Sequence, residues 1–209
     1  MGETINLVEY SCPHCGASDR ERLYALFLDQ AVGSASDKQP IGLIHFAPES
    51  ALSQRIRRLG KFDYRTADPT MGNVDDRVDI TNMLAYRDEE FDCFICSHVL
   101  EHVADDRRAF GELWRILKPG GWGILMVPVM THLERTLEDP TANTESQRWR
   151  LFGQGDHVRL YAKRDYLSRI QGAGFIVNEM GVEHFGIETF DRCGITRRSV
   201  LYVARRPHD

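Results

Sequence analysis

The sequence lacks any apolar run near the roughly 20 residues that a membrane-spanning helix needs. Its first residues show no basic start followed by an apolar stretch, so we expect no secretory leader and a cytoplasmic protein. In that reducing setting the five cysteines do not predict a disulfide framework. A basic excess is also missing, because the net charge is −5, and this argues against a nucleic-acid partner. We therefore expect a small-molecule substrate, no membrane association, and a monomer or homodimer.

What the sequence does contain suits one globular catalytic domain with a short appendage. The chain has 209 residues and is 42% hydrophobic, which is enough for a sizeable core. We predict an N-terminal unit over residues 1–39, made of a CxxC knuckle and a cap helix, and a larger domain over residues 40–209.

From Ile41 onward, strand-like and helix-like patterns alternate. Continuous apolar runs such as IGLIHF predict strands that are buried on both faces. The predicted strands cover residues 41–46, 62–68, 77–80, 91–97, 122–129, 175–180 and 199–205. This order indicates an α/β, Rossmann-like fold with a mostly parallel seven-stranded sheet and helices on both faces. Such sheets bind ligands at the carboxyl ends of their strands, so function is expected just after Phe46, Asp68, Ile80 and Cys96.

The run FDCFICSHVLEHVADDRRAFGELWRILKPGGWGILMVPV resembles the class I SAM-dependent methyltransferases, and among them the type 11 methyltransferase domains. The later segment HVRLYAKRDYLSRIQGAGF is similar to the same group, and the resemblance covers about residues 40 to 205. It implies that residues 40–209 form a methyltransferase domain. Its activity would be methyl transfer from S-adenosylmethionine (SAM) to the oxygen, nitrogen or carbon of a small-molecule acceptor.

The resemblance assigns the first turn, Phe46, Ala47, Pro48 and Glu49, to the methionine part of SAM. Family members usually have D-x-G-x-G here, whereas His45 stands at the acidic position and Ala47 and Glu49 replace two glycines. A subgroup of the family has a similar H-F-A-P-E turn. Glu49 is therefore a candidate partner for the ammonium group of SAM; the alternative is a first-turn helix acid favoured by the helix dipole.

The resemblance also implies nucleoside contacts at the ends of the next strands. Asp68 would accept hydrogen bonds from the ribose hydroxyls, unless it only starts the turn before Pro69. Asp79 and Ile80 would contact the adenine, the alternative for Asp79 being a surface turn. Ser97 follows the fourth strand, where the transferred methyl group is expected.

Two histidines are candidates for the acceptor side. His98 is expected to line the substrate pocket or act as a general base, or else to pack under the cofactor without chemistry. His157 is the preferred general base, because an unperturbed imidazole titrates near neutral pH. Arg159 and Tyr161 would hold a substrate anion or hydroxyl, and structural hydrogen bonds within their loop are the alternative.

Two patterns suggest metal ligands. Residues 98–102 spell H-x-x-E-H, a metalloprotease pattern, but it directly follows a parallel strand inside the methyltransferase-like run, so we disfavour a zinc site there. Cys12 and Cys15, in CPHCG, form half of a possible zinc knuckle. The remaining ligands could be His14, Cys193 or a second subunit, and a vestigial knuckle without metal is the alternative.

Two other functions stay open. An NAD(P)-dependent oxidoreductase is disfavoured, because the first turn lacks the glycines that let a backbone approach a pyrophosphate. A non-catalytic module that binds SAM, or that interacts through its zinc knuckle, would explain the unusual first turn. Asp68 and Asp79 argue against that module, because a domain without nucleoside binding would need neither.

Overall fold

The computed structural model describes residues 6, 8–33 and 39–208. The helices are α1 (Asp19–Gly33), α2 (Ser50–Leu59), α3 (Asp106–Ile116), α4 (Glu145–Phe152), α5 (Lys163–Gly172), α6 (Val182–Phe185) and α7 (Ile187–Arg192). The strands are β1 (Ile41–Phe46), β2 (Phe62–Ala67), β3 (Phe91–Ser97), β4 (Leu117–Met126), β5 (Val129–Met130), β6 (Leu137–Glu138), β7 (Arg159–Ala162), β8 (Ile176–Met180) and β9 (Leu201–Arg205). Within these ranges, no helix has both the length and the apolar character needed to cross a membrane.

The main sheet has the strand order β2-β1-β3-β4-β9-β8. The first four strands are parallel, whereas β9 runs antiparallel to both β4 and β8. The chain moves outward from β1 to β2 and then returns to the other side of β1 to form β3, so the topological switch lies between β1 and β3. The predicted α/β, Rossmann-like, mostly parallel fold is confirmed, with six strands in the main sheet where seven were expected.

The missing strand is the one predicted over residues 77–80. Asp76 forms only an isolated bridge with Ala67. Beyond it, the Asp79 carboxylate accepts hydrogen bonds from the Thr81 amide and hydroxyl, both at 2.8 Å. These bonds turn the chain away from the sheet edge, so the prediction of a strand here was wrong.

The hydrophobic core is formed by α1 together with the main sheet and the helices that cover it. Strands β1 and β3 are almost entirely buried because helices cover both faces of the sheet. Helix α1 buries Tyr24 and Phe27, and the Phe27 ring meets Trp122 edge-on at 4.9 Å between ring centroids. Helix α1 therefore shares the core of the sheet. The division at residue 39 remains a prediction, since the adjoining residues 34–38 lie outside the described ranges.

The helix starts follow local capping signals. Asp105 caps α3 by accepting a hydrogen bond from the Arg108 amide at 3.0 Å. The N-cap residue of α4 is Thr144, whose hydroxyl forms a reciprocal capping box with Gln147.

Candidate functional site

The carboxyl ends of β1, β2 and β3 meet at one edge of the sheet. Phe46 pairs with Ala67 on one side and with Cys96 on the other. The Ala47 amide then donates to the Ala67 carbonyl at 2.9 Å, which keeps the first turn against β2. The residues that follow each of these strands therefore face one another across the switch point.

A cleft of about 450 Å³ opens at this edge, between the turns after β1, β2 and β3. This volume lies within the range of roughly 300–1,000 Å³ that is typical of small-molecule sites. The predicted residues that line it are Phe46, Ala47, Asp68, Asp79, Ile80 and His98, together with Val99, His102, Val103 and Asp156, which the sequence analysis did not single out. Pro48, Glu49, Ser97, His157, Arg159 and Tyr161 are not part of its wall.

Asp68 and Asp79 each hold the turn in which they lie, which was the alternative considered for them. One carboxylate oxygen of Asp68 accepts from the amides of Thr70 and Met71, both at 2.7 Å, so it does hold the turn after β2. Asp79 holds its own turn through Thr81 in the same way. In both residues these bonds use Oδ1 and leave Oδ2 available at the cleft, where it can accept from a ligand hydroxyl or amine.

The first turn has a strained backbone and a buried polar network. Ala47 has a φ of 47°, in the left-handed region that favours glycine and is sterically costly for a residue with a Cβ. Behind it, the two ring nitrogens of His45 contact the Tyr64 hydroxyl at 2.8 Å and Glu49 Oε2 at 2.9 Å. Burial raises the pKa of Glu49, but the hydrogen bond and charge of His45 outweigh burial, so the net pKa is lowered.

Glu49 thus begins helix α2 as its N-cap residue and is paired with His45 at the same time. Its carboxylate is mostly buried behind the first turn. Ser97 is likewise buried, and its hydroxyl lies 3.0 Å from the Tyr24 hydroxyl of α1. The N-terminal helix therefore covers this side of the site, a contribution that the sequence analysis missed because no pattern pairs residues so far apart in the chain.

The turn after β3 brings histidines and a buried acid together. His98 has a φ of 55°, and its Nδ1 lies 3.2 Å from Glu101 Oε1. The next imidazole, His102, packs edge-on against His157 with 4.7 Å between ring centroids. Burial lowers the pKa of His157, and the nearby Glu101 carboxylate opposes this only in part. His157 is therefore neutral at neutral pH.

Arg159 is buried and bound to the protein rather than open to a substrate. Its guanidinium donates to the Leu100 carbonyl at 2.7 Å, to the Val103 carbonyl, and to the Ala104 carbonyl at 2.8 Å. It also donates to Glu138 at 2.5 Å. These contacts favour the structural alternative for Arg159, which fixes the turn that presents Glu101 and His102.

Tyr161 and a second cavity both lie next to the ion pairs of Arg159 and Arg169. The Tyr161 hydroxyl donates to Asp106 at 2.6 Å, and burial raises the pKa of this phenol. A cavity of about 570 Å³ lies beside Arg159, Glu138 and Arg169. It is larger than the cleft, but Arg159 and Arg169 are both paired there with Glu138, Arg169 at 2.8 Å. We therefore place the candidate site in the cleft.

The N-terminal knuckle brings Cys12 and Cys15 close together without completing a metal site. Hydrogen bonds from the Cys15 and His14 backbone, and from the Cys15 side chain, lower the pKa of the Cys12 thiol. Cys12 and Cys193 line one surface cavity. Across the described ranges, however, three potential ligand atoms come within 4.8 Å of one another only at Glu101, His102 and His157. A zinc ion at this possible knuckle would therefore have no third ligand among the described residues.

Known proteins give this geometry a family context. Residues 51–125 match the family model described as methyltransferase domain. A curated relative, the ubiquinone/menaquinone biosynthesis C-methyltransferase UbiE of Hydrogenovibrio crunogenus, is 34% identical over 70 residues, which are 34% of this chain. The match covers 27% of that relative, so it accounts for only about a quarter of the relative's length.

Solved structures share the fold at low sequence identity. The 4+2 cyclase SpnF has a TM-score of 0.62 at 15% identity, with 100% of this chain and 88% of that chain covered. The CurJ carbon methyltransferase has a TM-score of 0.59 at 13% identity, covering 90% of this chain and 54% of that one. The 1,6-didemethyltoxoflavin-N1-methyltransferase of Burkholderia thailandensis, solved with S-adenosylhomocysteine, has a TM-score of 0.56 at 10% identity, covering 90% and 79%. The chain therefore has a Rossmann-like fold, and its residues 51–125 are similar to a methyltransferase domain.

Proposed function

We propose that this chain transfers a methyl group from SAM to an oxygen, nitrogen or carbon of a small-molecule acceptor. The observation that carries the proposal is the pair Asp68 and Asp79 on the wall of the cleft, each with one carboxylate oxygen left available. Asp68 and Asp79 both fall within the stretch that matches the methyltransferase domain.

The nucleoside end of SAM fits the residues between β2 and Ile80. A carboxylate oxygen of Asp68 would accept the ribose hydroxyls, and that of Asp79 would accept the adenine amino group. Ile80 and Val78 are buried apolar side chains on the same wall, which suits a flat aromatic base. The other oxygen of each aspartate is already fixed by its own turn, so both acceptors are held in place before any ligand arrives.

The methionine end would lie over the first turn. Ala47 presents only a methyl group to the cleft, which permits a close approach of the ligand to the backbone. Glu49, ionised through its pairing with His45, supplies negative charge beside this turn and would attract the ammonium group of SAM. When bound, SAM supplies an electrophilic methyl group on its sulfonium.

The acceptor would bind beside His98. Of the two histidines expected on the acceptor side, His98 lines the cleft, and its Nε2 is buried without a hydrogen-bond partner. Methyl transfer is an in-line displacement, so holding the acceptor and excluding water can supply much of the rate. A base at His98 would additionally remove a proton from an acceptor hydroxyl or amine.

The test is calorimetric titration with S-adenosylhomocysteine of the wild type and of Asp68→Ala and Asp79→Ala. Each variant loses a charge-assisted hydrogen bond worth roughly 1.5–3 kcal/mol, so we expect about tenfold to hundredfold weaker binding. Asp139→Ala is the matched control. Asp139 holds a similar turn through Thr141, at 2.9 Å to its amide, but lies outside the cleft.

The proposal is supported if the wild type and Asp139→Ala bind S-adenosylhomocysteine tightly and Asp68→Ala and Asp79→Ala bind it more weakly. If the wild type does not bind S-adenosylhomocysteine, the proposal fails and the non-catalytic alternative gains. NADH, titrated separately, is expected to give no heat, because the first turn lacks the glycines that a pyrophosphate needs.

A further inference from the structure

Three side chains from two distant segments converge beside the cleft. Glu101 and His102 follow β3, and His157 precedes β7. Each of the three offers one ligand atom, and these atoms all lie within 4.8 Å of one another. A backbone hydrogen bond from Val158 to the Glu101 carbonyl, at 2.8 Å, joins the two segments at this point.

The polar atoms of this cluster lack the partners that burial normally requires. Glu101 is 1% exposed and His157 is 7% exposed. Within the part of the chain that the structure describes, neither carboxylate oxygen of Glu101 has a hydrogen-bond partner, and neither does Nδ1 of His157. His98 approaches Glu101 at 3.2 Å, but not in the alignment of a hydrogen bond. A buried carboxylate left in this state is costly, which indicates that a ligand completes the cluster.

The surroundings hold the three side chains in position. His102 Nδ1 lies 3.3 Å from Asp156 Oδ2 and 3.3 Å from the Asp156 carbonyl oxygen, which leaves Nε2 of this imidazole available to a ligand. A carboxylate behind a histidine is the usual second partner of a metal-binding imidazole. Arg159 fixes the same turn through the carbonyls of Leu100 and Ala104.

We propose that Glu101, His102 and His157 bind a divalent first-row transition-metal cation at the acceptor end of the cleft. Two imidazole nitrogens and one carboxylate suit such cations better than they suit Mg²⁺ or Ca²⁺, which prefer oxygen ligands. The H-x-x-E-H pattern thus takes part in a cation site, although its residues follow the strand as turns and the third ligand comes from 55 positions further along the chain.

The cation would also determine which chemical groups an acceptor needs in order to bind. Its open coordination positions would face the cleft that His98 and His102 line, and they would take a hydroxyl or carboxylate oxygen of the acceptor. The binding of the acceptor by the cation rests on the proposed methyl transfer, whereas the cation site itself does not.

The experiment is a titration of metal-stripped protein with Co²⁺, followed by visible d–d absorption, and with Zn²⁺ in a calorimeter, both without SAM. It is run in the wild type and in Cys12→Ser/Cys15→Ser, which removes the other metal-binding pair. We expect one bound cation per chain in both proteins. His102→Gln and His157→Gln should each weaken binding by roughly a hundredfold, and His184→Gln, an exposed histidine, should leave it unchanged.

Cooperative thermal unfolding of each variant establishes that it is folded. The proposal is overturned if folded wild-type protein takes up no cation. It is also overturned if His102→Gln and His157→Gln bind as tightly as the wild type, or if binding disappears with the two cysteines. Since SAM is absent from the titration, failure of the methyl-transfer proposal would leave these outcomes unaffected.

Discussion

Replacing Arg159 with methionine tests whether this side chain is a structural clamp. Methionine keeps much of the apolar stem and removes all the donors, so the carbonyls of Leu100, Val103 and Ala104 and the Glu138 carboxylate lose a partner. Leaving a buried acceptor without its donor costs about 1–3 kcal/mol, and three carbonyls lose theirs here. We therefore expect Arg159→Met to lower the free energy of unfolding by ~3–5 kcal/mol.

The assay is urea denaturation together with thermal unfolding. For a domain of this length, 1 kcal/mol corresponds to about 2–4 °C, so the Tm should fall by on the order of 10 °C. Arg159→Lys should recover little of the loss, because one ammonium cannot reach four acceptors that surround a planar guanidinium. Arg148→Met is the control, since Arg148 borders the cavity beside Arg159 and, among the described residues, its guanidinium donates only to the Ala142 carbonyl, at 3.1 Å.

A different result would support the substrate-binding role that the sequence analysis considered for Arg159. If Arg159→Met unfolds at the wild-type temperature but raises the KM for an acceptor, the guanidinium contributes binding energy and not stability. Our reasoning from its four hydrogen bonds would then be refuted.

Two further predictions concern stability. The Arg169 and Arg159 guanidinium groups hold the pKa of Glu138 at about 2, so its ion pairs contribute stability above pH 4.5, which is lost as the pH falls toward 2. Because Glu138 is 37% exposed, we expect Glu138→Gln to lower the free energy of unfolding by only ~1 kcal/mol in urea at neutral pH. The variant should also lose less stability than the wild type as the pH falls from 4.5 toward 2. Equal slopes of unfolding free energy against pH in the two proteins would contradict this. Ala47→Gly should change stability by less than about 0.5 kcal/mol, because relief of left-handed strain offsets the greater entropy of glycine in the unfolded chain. Ala47→Val should lower it by ~1–2 kcal/mol and weaken S-adenosylhomocysteine binding; a valine variant as stable as the wild type would show that no strain exists here.

The sequence predicts most of the main sheet because strands that are buried on both faces consist largely of apolar residues. Strands β1 and β3 appear as continuous apolar runs, and Asp105 marks the start of α3. The strand expected over residues 77–80 fails because hydrogen bonds of one aspartate turn the chain, and an alternating pattern of four residues does not reveal this. The capping box at Thr144 is a local signal that would have identified α4.

The site is less predictable because its decisive contacts join distant parts of the chain. Asp68 reaches the cleft because it follows the parallel strand β2, which topology alone implies. Asp79 reaches it because its segment is bridged to Ala67 through Asp76. The Arg159 clamp joins positions 55 to 59 residues apart, and no local pattern records where its acceptors lie. The contact of Tyr24 with Ser97 spans 73 residues in the same way.

The fold by itself does not decide the reaction, since one structural neighbour is a cyclase and others are methyltransferases. The chemistry must therefore come from the side chains around the acceptor end of the cleft. A cation ligand cannot also accept a proton, so the two roles considered for His157 exclude each other. Its buried, partnerless Nδ1 beside Glu101 and its absence from the cleft wall favour the ligand role. A general base has to reach the acceptor, and of the two histidines considered for that role, His98 and His157, the cleft wall includes His98.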